Sequence, residues 1–170
     1  MRRSIGRICD DSRPLPDDPE LIQLVAERIS TGERFVRLLK PARRLGPRVP
    51  GHLDVDASVI ENATPRDEVF AEWKRFMREG DLFLGWGAYC RDLLAREGLA
   101  PAEFINLRAT VARQTEASPG SVEELAAKLG HPLPDGVGRG VRRLEALSTV
   151  TRALLEGRLH RTPRRKHPHV

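Results

Sequence analysis

Arginines in two dense groups, two cysteines and a tryptophan are the residues of this chain whose types and spacing could do chemistry. Arg34, Arg37, Lys40, Arg43, Arg44 and Arg48 make one basic stretch, and Arg161, Arg164, Arg165 and Lys166 make another near the end. Either could meet phosphate groups, because each phosphate neutralised by Lys or Arg releases counterions. The first stretch could equally guard the edge of a sheet against pairing with another chain. The second could be a solvated tail that binds nothing. Cys9 and Cys90 form neither a metal-spacing motif nor a disulfide framework, which leaves them as free thiols. His160, His167 and His169 sit within the basic tail at spacings that match no zinc site. Trp86 could stack on a nucleobase. It also ends an apolar run, where packing in the core or at its rim is the simpler role. With 5% aromatic residues, no basic surface interleaved with aromatics stands out.

The chain has 170 residues, 39% of them hydrophobic and 31% charged, which predicts one soluble domain with a proper core. Its sequence pI near 9.9 suggests an anionic partner, but the charge is uneven. His160 to Val170 holds four basic residues and no acid, so this tail carries +4 of the formal +5. The rest of the chain is nearly neutral. The start, MRRSIGRICDDSRP, is basic without the apolar stretch of a secretory signal, and no run is apolar enough to cross a bilayer. A cytoplasmic protein with no membrane partner is expected.

The elements that must position these residues follow from periodicity. Ser4 to Cys9 reads as a strand, followed by an acidic, proline-rich loop from Asp10 to Pro19. Leu21 to Ile29 has apolar spacing that would suit a helix. The turn-like Ser30-Thr31-Gly32-Glu33 and the strand-like Arg34 to Leu39 favour a hairpin instead. Pro41 to Pro65 reads as a long surface connection. Thr64-Pro65 opens a helix over Arg66 to Arg78 with a stripe of Val69, Phe70, Trp73, Phe76 and Met77. Asp81 to Gly87 is the best buried-strand candidate, and a helix follows from Tyr89 to Glu97. Phe104 to Leu107 is a short strand that leads into a helix through Arg113. Ser121 and Glu124 form a capping box for a helix closed by Gly130. The last helix spans Val141 to Glu156. This order places the chain in the α/β class.

EWKRFMREGD, LFLGWGAYCRDLL, INLR, GSVEELAAKLG and GRGVRRLEAL occur in this order after a hairpin and a Pro-rich connection. The series resembles the DEDD (DnaQ-like) 3′–5′ exonucleases, from about Ile8 to Leu155. The resemblance implies an RNase H-like fold: a mixed sheet of about five strands with helices on both faces. It also implies a site in which four carboxylates hold two divalent metals, which clamp the attacking and leaving oxygens of a phosphodiester. Mg²⁺ or Mn²⁺ would be the cofactor of an active member.

This sequence departs from that pattern at most functional positions. The first motif, Asp-x-Glu, corresponds to Asp10-Asp11-Ser12, which keeps Asp10 and has Ser12 in place of Glu. Cys90 stands where the next Asp belongs. Val141 and Ala146 take the places of the final His and Asp. Only Asp10 remains as a metal ligand, and one carboxylate cannot assemble a two-metal site. Shifted neighbours face elsewhere. Asp92 is turned about 200° from Cys90 around a helix, and Glu145 about 100° from Ala146. Asp11 would point to the face of a strand opposite Asp10. The implied fold would bring Cys9 near Cys90, where two thiols beside Asp10 could bind Zn²⁺ or lie buried and unpaired.

The reading is an inactive exonuclease-like domain over residues 1–159 and a disordered basic tail over 160–170. It requires no cofactor. Its expected partners are nucleic acid, DNA or RNA, or a nucleic-acid-processing protein. Arg161, Arg164, Arg165, Lys166, Arg43 and Arg44 are the expected nucleic-acid contacts. The alternatives are an active exonuclease of atypical site and a purely protein-binding domain.

Overall fold

The structure, a computed structural model, describes residues 19–132, 134 and 138–159. The expected strand Ser4 to Cys9, the residues Asp10 and Ser12, and the basic tail lie outside that range.

The hairpin expectation holds. Strand β1 (Gln23–Arg28) pairs antiparallel with β2 (Glu33–Leu38), with Leu24 opposite Arg37 and Ala26 opposite Phe35. Gly32 has φ 74° in the turn, a conformation that glycine adopts without the steric cost a side chain brings. The helical spacing of Leu21 to Ile29 is overridden because alternation suits a strand covered on two sides. Leu24 and Ala26 face the helix α3 (Arg66–Phe76), packing with its Val69 and Trp73. Glu27 points the other way and takes Arg152 of the long helix α7 (Arg139–Leu155). Arg34 of β2 reaches Glu145 of α7 at 2.6 Å, whereas Arg37 reaches Glu72 of α3 at 2.7 Å. Helices therefore flank both faces of the hairpin, as the period of two requires.

The expected long connection contains two short helices, α1 (Val49–Leu53) and α2 (Ala57–Glu61). Each is one turn and a half, too short to display an apolar stripe. Pro50 sits in the first turn of α1, where its missing N–H costs nothing. Ile60 of α2 is fully buried. The strand expected over Asp81 to Gly87 narrows to β3 (Phe83–Gly85), which pairs in parallel with β4 (Phe104–Asn106). Between them lies α4 (Tyr89–Arg96). After β4 come α5 (Leu107–Thr115) and α6 (Val122–Lys128), whose capping box of Ser121 and Glu124 is formed.

Among the described residues there are thus two sheets of two strands in place of one sheet of about five. What separates them is an apolar slot. Consecutive residues of both strands, Val25 to Ser30 and Asp81 to Leu84, line one cavity of about 260 Å³. Leu21, Gln23, Leu24 and Val25, with Phe83 to Trp86, contribute to its neighbour of about 360 Å³. Because successive side chains of a strand alternate in direction, a wall of consecutive residues is a strand edge. The unpaired edges of β1 and β3 thus face one another, running in opposite senses. Leu144 and Leu147 of α7 border both cavities.

Two features hold the pairs together across this slot. Trp73 lies 5.3 Å from Phe35 of β2 and 6.1 Å from Phe83 of β3, centroid to centroid, and Phe83 stacks on Phe104 of β4. At one end, Arg28 donates to both oxygens of Asp81, at 2.5 and 2.6 Å, and to the carbonyl of Phe76 at 2.6 Å. A second core gathers Leu107, Val111, Val122, Ala126, Ala146 and Val150 where α5, α6 and α7 meet. No helix among the described residues is long and apolar enough to cross a membrane.

Replacing the 2%-exposed Trp73 by alanine should cost about 3–5 kcal/mol in urea unfolding. Leu82→Ala, at a half-exposed position, should change stability by less than about 0.5 kcal/mol. Equal effects would mean that the aromatic bridge does not join the sheets.

The hydrogen bonds from Arg28, and then from the Arg78 backbone N–H, hold the Asp81 carboxyl below its ordinary value. The stability this supplies is complete above the unfolded pKa of about 3.9 and is lost as pH falls through the lower folded value. Asp81→Asn should therefore cost about 1–2 kcal/mol near pH 7, and the gap to the parent should close toward pH 2. A gap unchanged by pH would rule out the carboxylate as its source.

Candidate functional site

Cys90 and Ala146, expected to stand at two acidic positions of the exonuclease pattern, come from α4 and α7, and the structure separates them. Cys90, in the first turn of α4, packs so close to β3 that a Cβ on Gly85 would lie 2.6 Å from its Sγ and 2.9 Å from the Phe104 ring. Glycine is required there by this close approach. Burial pushes the Cys90 thiol up, the charge of Asp92 adds to the effect, and Arg143 opposes it. Cys90 lines the slot together with Gln23, Leu94 and Arg143. Ala146 turns away from it, fully buried against Leu107 and Val111 in the second core. Val141 is half-buried near the start of α7.

The acids next to these positions are engaged by arginines. Glu145 accepts from Arg34, and Asp92 accepts from its neighbour Arg91 at 2.7 Å. Among the described residues no three His, Cys, Asp or Glu side chains converge as a metal set. A neutral thiol facing a guanidinium, with a methyl group sealed in the core, is not a donor set for Mg²⁺, which takes hard oxygen ligands. The described part of the site does not fit a two-metal centre.

The basic stretch expected to meet nucleic acid is divided in the same way. Arg34 binds Glu27 and Glu145, Arg37 binds Glu72, and Arg43 lies 3.6 Å from Glu20. Arg43 and Arg44 border a small hollow with Glu20, Ile22 and Leu45. Arg161, Arg164, Arg165 and Lys166 fall outside the described residues.

A different basic group converges. Arg139, Arg142 and Arg143 occupy positions i, i+3 and i+4 of α7, the spacing that places side chains on one helix face. Arg108, from the first turn of α5, joins them. Together with Trp86, Ser121 and Glu123 they line an open basin of about 560 Å³. The spacing of the arginines in GRGVRRLEAL carries part of this signal, but Arg108 is distant in sequence. Gln23 packs against Gly140 in the first turn of α7, where a Cβ would overlap its carboxamide, so β1 fixes the start of the helix.

Compared with models of known protein families and with curated proteins, the chain matches none.

In a Cys9→Ser variant, Cys90 should react slowly with a thiol reagent at pH 7.5, because only the thiolate is nucleophilic and burial disfavours it. Its modification rate should climb with pH to a midpoint above the ordinary cysteine value near 8.5. Denatured protein should label at the ordinary midpoint. Fast labelling of the folded protein at pH 7.5 would mean that the thiol is exposed.

Proposed function

We propose that the chain is an exonuclease-fold module that has lost its metal chemistry and holds nucleic acid without cutting it. The observation that carries this reading is the middle of α7. A methyl group, Ala146, is sealed there at a position aligned with a family carboxylate, and the adjacent acid Glu145 is bonded to Arg34. Phosphodiester cleavage by two metals needs carboxylates that converge on both ions. Guanidiniums can instead contact phosphate directly through paired hydrogen bonds, supplying affinity but no nucleophile.

The slot between β1 and β3 supports the fold part of the reading. The strand expected over Ser4 to Cys9 has the apolar character such a slot would take. Leu21, just before β1, borders the slot together with Gly85 and Trp86. One further strand in the slot would make the mixed sheet of about five strands that the resemblance implies. DNA or RNA is the partner, alone or presented by a nucleic-acid-processing protein.

Purified protein with Mg²⁺ or Mn²⁺ should leave single-stranded DNA and RNA intact over hours, yet bind labelled strands with an affinity that falls as salt rises. Cleavage that Asp10→Ala abolishes in folded protein would sink the non-catalytic reading. Absence of binding at low salt would sink the nucleic-acid part and favour a protein-binding domain.

A further inference from the structure

The slot between the two strand pairs has edges that call for a partner of one kind. Leu39 donates its N–H to the carbonyl of Ile22 at 2.8 Å, and residues along an antiparallel pair alternate between bonding the neighbour and turning away from it. Gln23, Val25 and Glu27 therefore aim their backbone N–H and C=O groups away from β2, into the slot. Phe83 donates to the carbonyl of Glu103 at 3.2 Å, so Leu84, one residue on, aims its backbone groups away from β4 into the same slot. Among the described residues no strand pairs with these edges. Buried backbone groups are paired almost without exception. A hydrocarbon ligand would leave them bare, whereas an extended chain can bond both edges, as in β-augmentation. Helices α3 and α7, which flank the hairpin on opposite faces, both line the slot, through Trp73 and Phe76 on one side and Leu144 and Leu147 on the other. A strand lying there needs apolar side chains on both faces.

We infer that the slot is a strand-acceptor site and that residues 4–9 of the same chain occupy it, bonded to β1 on one edge and to β3 on the other. Ile5 and Ile8 stand three residues apart, which in a strand sends them to opposite faces, one toward each helix. The reach is sufficient. Cys9 precedes Leu21, which borders the slot, by twelve residues, and a chain of that length spans up to about 40 Å. The six residues of β1 extend about 20 Å, so either end of the slot lies within that span. The other segments outside the described residues do not suit. Residues 160–170 carry Pro163, Pro168 and four basic side chains, and residues 133 and 135–137 are too few. A tether this short holds its segment at roughly millimolar effective concentration, ahead of the same segment from a second copy. The inference names the occupant of the slot and does not depend on nucleic-acid binding.

The test uses the full chain and two measurements. The first is hydrogen exchange of the parent protein. The amides of Ile5 to Ile8, with those of Val25 and Leu84, should exchange at least about a hundredfold more slowly than in an unfolded chain, at rates independent of protein concentration. The second is the melting temperature of two proline variants. Gly6 and Arg7 are neighbours, so in a strand their N–H groups point to opposite edges, and proline has no N–H to give. Gly6→Pro and Arg7→Pro should therefore each lower the melting temperature by about 5 °C or more. Arg13→Pro, between the segment and β1, should shift it by less than about 2 °C. Exchange needs no variant, so it decides even where a proline variant fails to fold. Exchange of residues 5–8 at the unfolded rate, or unchanged melting in both variants, would overturn the assignment. A loss confined to one of the two variants would mean a strand on a single edge and overturn the two-sided pairing. Protection that rises with concentration, with a dimer in sedimentation, would give the slot to a second copy's segment and overturn its filling from within the chain. Failure to bind oligonucleotides would count against the nucleic-acid reading alone and leave a protected, proline-sensitive segment as support for this one.

Discussion

Trp73 is the side chain on which the arrangement of the two sheets depends. A two-stranded sheet is marginal alone, and the described residues form two of them with an open slot between their edges. The indole touches Phe35 on one pair and Phe83 on the other, while Phe76, stacked on it at 5.7 Å, extends the contact toward Arg28. With only five phenylalanines in the chain, placing four of them in this one network leaves little aromatic surface for anything else. That concentration explains why helix α3 is amphipathic about Trp73. It also explains why β3 and β4, at three residues each, remain in place.

The opposite face of the hairpin is held by charge. The Glu27 side chain is 2% exposed and is shared by Arg34 and Arg152, so a buried carboxylate ties β1 to α7. Removing one partner of such a group leaves a buried charge uncompensated, a loss larger than the pair's net worth. The same network fixes the direction of Glu145, because Arg34 binds both acids. One arginine on β2 thereby orients α7 and takes its acid at position 145 away from the slot. Structural and chemical roles compete for the same carboxylate, and here the structural one holds it.

How much of this was legible in the sequence depends on the length of the signal. The Ser121 to Glu124 capping box and the stripe of α3 each involve several residues in register, and both formed as read. The hairpin was legible through its turn, because the apolar spacing of Leu21 to Ile29 pointed to a helix. Helices α1 and α2 were missed, since five residues cannot display a period. The burial of Ala146 in a different core from the slot was not legible, because it depends on how α5 and α6 seat against α7. The arginine basin was hidden for the same reason: Arg108 meets the α7 arginines only after β4 and α5 are placed.

The arginines also bear on why metal and guanidinium would not share this corner. A divalent ion at roughly 6 Å from one guanidinium, with an effective dielectric near 20, is repelled by about 5 kcal/mol. Carboxylates normally offset that repulsion, but Glu145 and Asp92 are already bonded to arginines. Arg143, which borders the Cys90 slot, therefore acts against a dication there. On the proposed reading, loss of acids and gain of arginines work in one direction. Without the acids a phosphate would lack a cation to meet, and without the arginines the vacated corner would have no affinity for it. On the reading proposed here, the two changes together convert a site that would break a phosphodiester into one that holds it.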